Sequence, residues 1–469
     1  MKSFYFRELK RYRTDYLAGL FGKTGEATVK KLLAANILRQ VKNGDGDAEK
    51  SEMLAIAPSA EPMAAFNFCG LVLIDDILIR CYPKYIRKGA GKKEFPLILR
   101  ALKRYEKHRR QQINFSARGF GGSNRLELML AILDDYSRHG LYVKKELRFE
   151  LNGEGETDWQ RTLERYNPFF LKNAGGAALY MERDTVRLQS DEENFFRQLH
   201  MAVLNECSDT VKKLELDSLF PVRVHFQAGG IRQLGGREYI LRRLQNEYRT
   251  QYAERRKEIL KLLIMYLDKK AAGGKGAMLF YGTNAMNLVW EKALAETLVN
   301  VLPEKVKNIA GLDPVKRQQY GKKNNRLIDL IEKPCWQMAD SGKEFLTDTL
   351  KPDTIAIKDG QFIIYDAKYY VPKVASSAIT RQPGLESVTK QFLYQMAYED
   401  FLAYFDIKKV RNVFLIPKES TAEGISKKLA KVKFNLLGKY TGNDIDVIEL
   451  DAAKVWQAYA EGKKLDITD

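Results

Sequence analysis

Cysteine and histidine are both scarce in this chain, with four of each among 469 residues. Cys69, Cys81, Cys207 and Cys335 are scattered and form no CxxC pair, which excludes a zinc site of ordinary spacing and a disulfide framework. Reduced thiols in a cytoplasmic protein are the expectation. His108, His139, His200 and His225 make no metal pair and lie far from the motifs below, so hydrolase chemistry built on a histidine base is disfavoured. No stretch approaches the roughly 18 apolar residues of a membrane helix, and the opening MKSFYFRELKRYR has no signal-peptide core, so no membrane association is expected. Also missing is a GxxxxGK(S/T) phosphate loop. No full copy of that motif occurs anywhere in the sequence, so any nucleotide-driven step has to come from another chain.

Positive charge, by contrast, is abundant. Lys and Arg total 78 against 60 Asp and Glu, a formal charge of +18, which favours a polyanionic partner through long-range attraction and counterion release. Nucleic acid fits this, although basic enzymes and membrane-surface proteins share the trait. The length is too great for one ordinary core and implies a multidomain α+β chain. We divide it into residues 1–150, an α+β region open to partner docking or DNA contact, residues 151–275, mostly helical, and residues 276–469. The spacing predicts a helix over 24–42 before the turn-rich NGDGD, a hairpin over 70–86 around Asp75 and Asp76, and amphipathic helices over 94–110 and 124–138. A long helix with one basic face is expected over 237–270. The Gly-rich AAGGKGAM (271–278) reads as a linker into the last region.

The segment LKPDTIAIKDGQFIIYDAKYYVP, residues 350–372, carries the chemistry. Two β-prone runs flank Asp359-Gly360, a strong hairpin signal. With a two-residue loop, Lys358 faces Gln361, Ile357 faces Phe362, Ile355 faces Ile364, and Asp353 falls opposite Asp366. Like charges placed so close are destabilising and call for a cation. Lys368, two residues beyond Asp366, lies on the same side of the strand. Two carboxylates and an ammonium suit Mg²⁺, which takes oxygen ligands, keeps waters and binds phosphate, the arrangement that phosphodiester hydrolysis needs. Upstream, MNLVWEKALAETLVN (286–300) reads as a helix whose Glu291 interrupts an apolar stripe of Leu288, Ala295 and Leu298. A carboxylate there needs a partner, and the metal site, directly or through a water, would supply it. Downstream, residues 386–405 form a helix with Gln391, Gln395 and Tyr398 on one face. These are candidates for holding a DNA phosphate or supporting the site, Lys390 is a further phosphate-contact candidate, and ordinary packing is the alternative reading. The basic stretch 315–326 suits a loop along DNA or a solvated surface.

This order of features, Glu291 on a helix, Pro352-Asp353, Asp366-Ala367-Lys368 and the QMAY helix at 395–398, resembles the McrC-like and LlaJI-type restriction endonuclease subunits of the PD-(D/E)xK nuclease superfamily. The likeness is most specific over about 278–420, with weaker LlaJI-like echoes at 70–86 and 152–168. The resemblance implies a C-terminal nuclease domain with a mixed sheet flanked by helices and extended by VFLIP (413–417). It also implies Asp353 and Asp366 as metal ligands, Lys368 as the catalytic lysine and Glu291 as the helix carboxylate. The expected cofactor is Mg²⁺, or Mn²⁺ in its place. The expected partners are double-stranded DNA and a separate McrB-like AAA+ GTPase subunit, in a system of defence against foreign DNA. A stand-alone repair or recombination nuclease, and a DNA-binding assembly subunit with a structural nuclease fold, stay open at this point.

Overall fold

The computed structural model describes residues 1–41, 63–87, 91–112, 125–144, 147–171, 177–188, 194–216, 219, 223–268, 278–320, 325–374, 379–420, 424–434 and 444–467. The NGDGD turn and residues 271–277 of the Gly-rich segment lie outside them. The architecture is α+β, with helices around mixed and antiparallel sheets.

Contacts group the chain into two compact units, Met1–Gly119 with Phe280–Asp469, and Phe120–Leu279. The sequence reading, with boundaries after 150 and 275, keeps the N-terminal region apart from the last one; in the structure they share a unit. The reason lies in a sheet that draws on both. The strand Lys2–Arg7 runs parallel to Ile77–Tyr82, which pairs with Cys69–Ile74, and that strand neighbours Leu279–Thr283. Gly70 and Gly282 allow the last approach: a Cβ at Gly70 would meet the Tyr281 carbonyl oxygen at 2.1 Å, and one at Gly282 the Cys69 carbonyl oxygen at 2.2 Å. The turn of the 70–86 hairpin is at Asp75-Asp76 as expected, Asp75 taking a positive φ of 52°. Further joints are the Arg104–Glu296 ion pair at 3.0 Å and the Trp456 indole N–H, which donates to the Tyr85 hydroxyl at 2.8 Å.

Two helix expectations need correction. The helix over 24–42 stops at Ala34, because Asn36 turns left-handed (φ 57°) and Leu38–Gln40 continues as a strand. In the second unit, the single helix over 237–270 is two, Arg237–Thr250 and Glu254–Leu267, which pack on each other. Buried Ile240, Leu244 and Glu247 line the first, and buried Ile259, Leu260 and Leu263 the second. Between them the apolar row lapses, Tyr252 is 94% exposed, and the chain turns back to bury its second stripe. Part of the expected basic face is spent inside this unit: Arg243 lies over the Phe195 ring at 3.9 Å, and Arg255 donates to the carbonyls of His139 and Gly140.

The first unit contains a five-stranded mixed sheet. In spatial order its strands are Thr354–Lys358, Gln361–Ala367, Lys409–Lys418, Ile445–Asp451 and Ser426–Val432. The second, third and fourth are mutually parallel; the outer two are antiparallel to their neighbours. The helices Leu385–Ala397 and Glu399–Tyr404 form the crossover between the second and third strands, and Met286–Thr297 packs against Ala452–Glu461. Ile355, Ile357, Phe362 and Ile364 of the hairpin join Tyr394, Tyr398 and Phe401 in one apolar layer.

Candidate active site

The hairpin that positions the site follows from local rules. Asp359 and Gly360 both take positive φ (50° and 68°), as a tight two-residue turn between twisted strands requires. Lys358 then pairs with Gln361, Ile357 with Phe362, Ile355 with Ile364 and Thr354 with Tyr365, the register the sequence predicts. Asp353 and Asp366 follow at the next step outward. Alternation puts both on the side of Ile355, Ile357, Phe362 and Ile364, so the two carboxyl groups emerge at the end of an apolar layer.

The carboxyl groups meet there. Asp353 lies close enough to Asp366 to feel its charge, and its Oδ2 accepts the Ala367 backbone N–H at 2.7 Å. Burial above all, then the charges of Asp366 and Glu291, push the Asp353 carboxyl up to about 8. Asp366 is 5% exposed, and its Oδ2 takes the Lys368 ammonium at 2.8 Å. Lys368 is fixed by its own backbone N–H, which donates to the Leu415 carbonyl at 2.9 Å, extending the parallel pairing one residue past the strand. Its ammonium also lies 5.8 Å from the centre of the Phe414 ring.

Glu291 belongs to the same field. Burial raises its carboxyl above the ordinary range, Asp366 adds to the rise, and Lys351 and Lys368 oppose it. Its helix, however, buries Met286, Val289, Trp290, Ala293, Leu294 and Thr297, while Leu288 is 46% exposed. The apolar stripe named from the sequence is therefore offset, and Glu291 sits half-buried at the edge of the true one. Trp290 anchors this helix by donating its indole N–H to the Leu415 carbonyl at 3.2 Å, the oxygen that also receives the Lys368 amide.

Among the described residues no three carboxylate, imidazole or thiol side chains are gathered tightly enough to enclose an ion. A cluster of one buried carboxylate, Asp366, and two half-buried ones, Asp353 and Glu291, nevertheless fits a small hard cation, because Mg²⁺ binds through one or two carboxylates and fills its remaining positions with water and phosphate. The raised carboxyl of Asp353 beside Asp366 marks where a cation would be best accommodated.

The downstream helix is placed differently from the DNA-contact expectation. Gln391 is fully buried and donates to the Ile364 carbonyl at 2.9 Å, two residues before Asp366. Gln395, also buried, accepts from Asn412 at 2.9 Å, and buried Tyr398 donates to the Leu327 carbonyl at 3.2 Å. These three hydrogen-bond within the fold from buried positions, which favours the supporting and packing readings over DNA contact. Lys390 is exposed and pairs with Glu386 at 2.6 Å. In the basic stretch, Lys316 pairs with Asp406, Arg326 pairs with Asp329, and residues 321–324 lie outside the described set. Sequence reasoning missed Tyr394. Its hydroxyl donates to the Lys351 carbonyl at 3.2 Å, and Asp366, Asp353 and Glu291 all drive its ionisation upward after burial. A position three residues after Gln391 shares its helix face, and that spacing was the available signal.

Comparison with known proteins places these residues in context. The model of the LlaJI restriction endonuclease family matches residues 68–310 and 315–454. The type II restriction enzyme BsuMI component YdjA of Bacillus subtilis (strain 168) is 24% identical over 424 residues, covering 86% of this chain and 82% of YdjA. Among solved structures, a chain from the refined half-complex of the tetradecameric assembly of Thermococcus gammatolerans McrB AAA+ hexamers with bound McrC aligns at 14% identity and a TM-score of 0.38. The alignment covers 98% of this chain and 99% of that one. A second, from the Thermococcus gammatolerans McrBC complex, aligns at 13% identity with a TM-score of 0.27, covering 62% and 86%. With the family model spanning both the Glu291 helix and the aspartate hairpin, this chain belongs to the LlaJI restriction endonuclease family.

Proposed function

We propose that this chain is the nuclease subunit of a DNA restriction system and hydrolyses phosphodiester bonds of double-stranded DNA at a Mg²⁺-dependent PD-(D/E)xK site. The observation that carries the reading is the meeting of Asp353 and Asp366 on one face of the hairpin, with Lys368 against Asp366. Asp353 and Asp366 would hold the metal, and Glu291 would reach it through a water. Bound Mg²⁺, or Mn²⁺, supplies a Lewis acid for the phosphoryl oxygen and lowers the pKa of a bound water. Lys368, held by the strand and by Asp366, positions the attacking water and offsets charge that grows on the phosphoryl oxygens. Tyr394 and the apolar layer close off the inner side, which keeps the carboxylates poorly solvated and their hold on a cation strong.

A separate McrB-like AAA+ GTPase would supply the motor, since this sequence has no GxxxxGK(S/T) loop of its own. Defence against foreign DNA in the cytoplasm is the setting. No helix among the described residues is long and apolar enough to cross a membrane. Plasmid DNA incubated with the purified chain and Mg²⁺, with and without the motor subunit and GTP, tests the reading. Cleavage that depends on the motor and is abolished by Asp366→Ala is expected. Full-rate cleavage by the lone chain would favour a repair nuclease, and cleavage undiminished by Asp366→Ala would remove the site.

A further inference from the structure

A second cluster of charge lies beside the segment that leaves Lys368. It is a cavity of about 260 Å³ with six cationic residues in its wall: Arg7, Lys10, Arg11, Lys84, Arg87 and Arg381. Its one acid, Glu8, is 6% exposed, and Glu8 Oε2 is already engaged by the Tyr369 hydroxyl at 2.6 Å and the Lys84 backbone N–H at 3.1 Å. We propose that this cavity is a seat for a backbone phosphate of the DNA substrate, next to the cleavage site; the proposal rests on the nuclease reading above.

Several of these cations touch neutral groups that orient them, and the Arg87 backbone N–H donates to Glu419 Oε2 at 2.9 Å. The Arg87 guanidinium donates to the Val371 carbonyl at 3.2 Å. The Lys84 ammonium lies over the Tyr369 and Tyr370 rings at 4.7 and 5.8 Å, and Lys10 over Tyr12 at 5.4 Å. Arg11 and Arg381 are close enough to repel: burial first, then Arg381, holds the Arg11 guanidinium below its usual range, and the buried Arg11 Nε has no hydrogen-bond partner. Arg381 itself sits on a left-handed backbone (φ 62°), a conformation that non-glycine residues adopt only at a cost. Opposed guanidiniums with an unused donor are what a phosphate oxygen would satisfy, by the fork geometry that arginine brings to such anions.

Size and position point to a DNA phosphate over a free nucleotide. The cavity is below the roughly 300–1,000 Å³ of typical small-molecule sites. Its walls include Tyr369's partner Glu8 and Val371's partner Arg87, so a phosphate seated there lies alongside the residues that directly follow Lys368.

The test uses Arg11→Gln, Arg381→Gln and, because Lys10 is exposed and safe for folding, Lys10→Gln. Binding of a fluorescent DNA duplex is measured by anisotropy in EDTA across a salt series, with circular dichroism to verify folding. We expect each folded variant to bind roughly 3–10-fold more weakly, with the slope of log affinity against log salt reduced by about one. Unchanged affinity and slope in folded variants overturn the proposal. If inorganic phosphate or GTP raises the melting temperature of wild type but not of Arg11→Gln, while duplex binding is equal in both, the seat belongs to a free anion and the proposal is also overturned. Wild-type protein that binds DNA through these cations yet never cuts with Mg²⁺ and the motor present would sink the nuclease reading while leaving the phosphate seat standing.

Discussion

Tyr369, the residue after Lys368, donates its hydroxyl to Glu8 at 2.6 Å, so the first strand of the chain is tied to the strand end that bears the catalytic lysine candidate. Tyr369 is 7% exposed and Glu8 6%, which makes this a hydrogen bond to a buried carboxylate. Tyr369→Phe should destabilise the first unit by about 1.5–3 kcal/mol and lower cleavage without altering the metal requirement. Thermal unfolding and initial rates check both. An unchanged melting temperature would show that the tie contributes nothing.

Asp353→Asn separates chemistry from stability. Burial and its acidic neighbours push the Asp353 carboxyl up to about 8, so the folded chain without metal already favours the neutral form at pH 7. The amide should therefore leave the melting temperature nearly unchanged, while cleavage falls by at least about 10²–10³-fold. A large loss of stability with activity retained would reverse the assignment.

Metal dependence gives a third expectation. Mg²⁺ or Mn²⁺ should support cutting, and Ca²⁺ should support DNA binding with little turnover. Rapid cleavage in excess EDTA is the contrary result.

Gln391 separates a supporting role from DNA contact. Its amide is buried against the Ile364 carbonyl, so Gln391→Ala should cost about 1–3 kcal/mol of stability and leave duplex affinity unchanged. Weakened DNA binding in a normally stable variant would contradict its placement.

Acid should loosen the second unit through His200. This residue is fully buried, its Nδ1 accepts the Tyr142 N–H at 3.1 Å, Nε2 has no partner, and burial followed by Arg255 lowers it to about 4. The folded chain resists a proton that the unfolded chain takes up near 6.5. His200 thus has no such effect above about pH 6.5, and stability declines as pH falls from there to about 4, by at most roughly 3 kcal/mol. Hydrogen exchange of the Phe195–Lys213 helix at pH 7 and pH 5 reads this out, and His200→Gln should flatten the difference.

The site was legible where local rules govern. Asp359-Gly360 fixes the hairpin, and the hairpin fixes which residues face each other, so Asp353, Asp366 and Lys368 could be placed by counting. Glu291 was found by its motif while its helix face was misjudged, because Leu288 looks like core in sequence and only packing against Trp456 and the sheet decides the rotation of that helix. For Gln391, Gln395 and Tyr398 the sequence left DNA contact, site support and ordinary packing all open, because a polar row on a helix carries no mark of what lies opposite; here the opposite groups are Ile364, Asn412 and Leu327. The pairing of Lys2–Arg7 with Ile77–Tyr82, and the cavity walled by Arg11 and Arg381, unite segments far apart in the chain, and no periodicity records that.

Because the first unit closes only when residues beyond 279 join those before 120, a ribosome has to make the whole intervening segment before the two ends can meet. At about 5–20 residues per second, that wait lasts on the order of ten to thirty seconds. A fragment that ends before the aspartate hairpin would lack Asp353, Asp366 and Lys368, so the proposed site is assembled only late in synthesis.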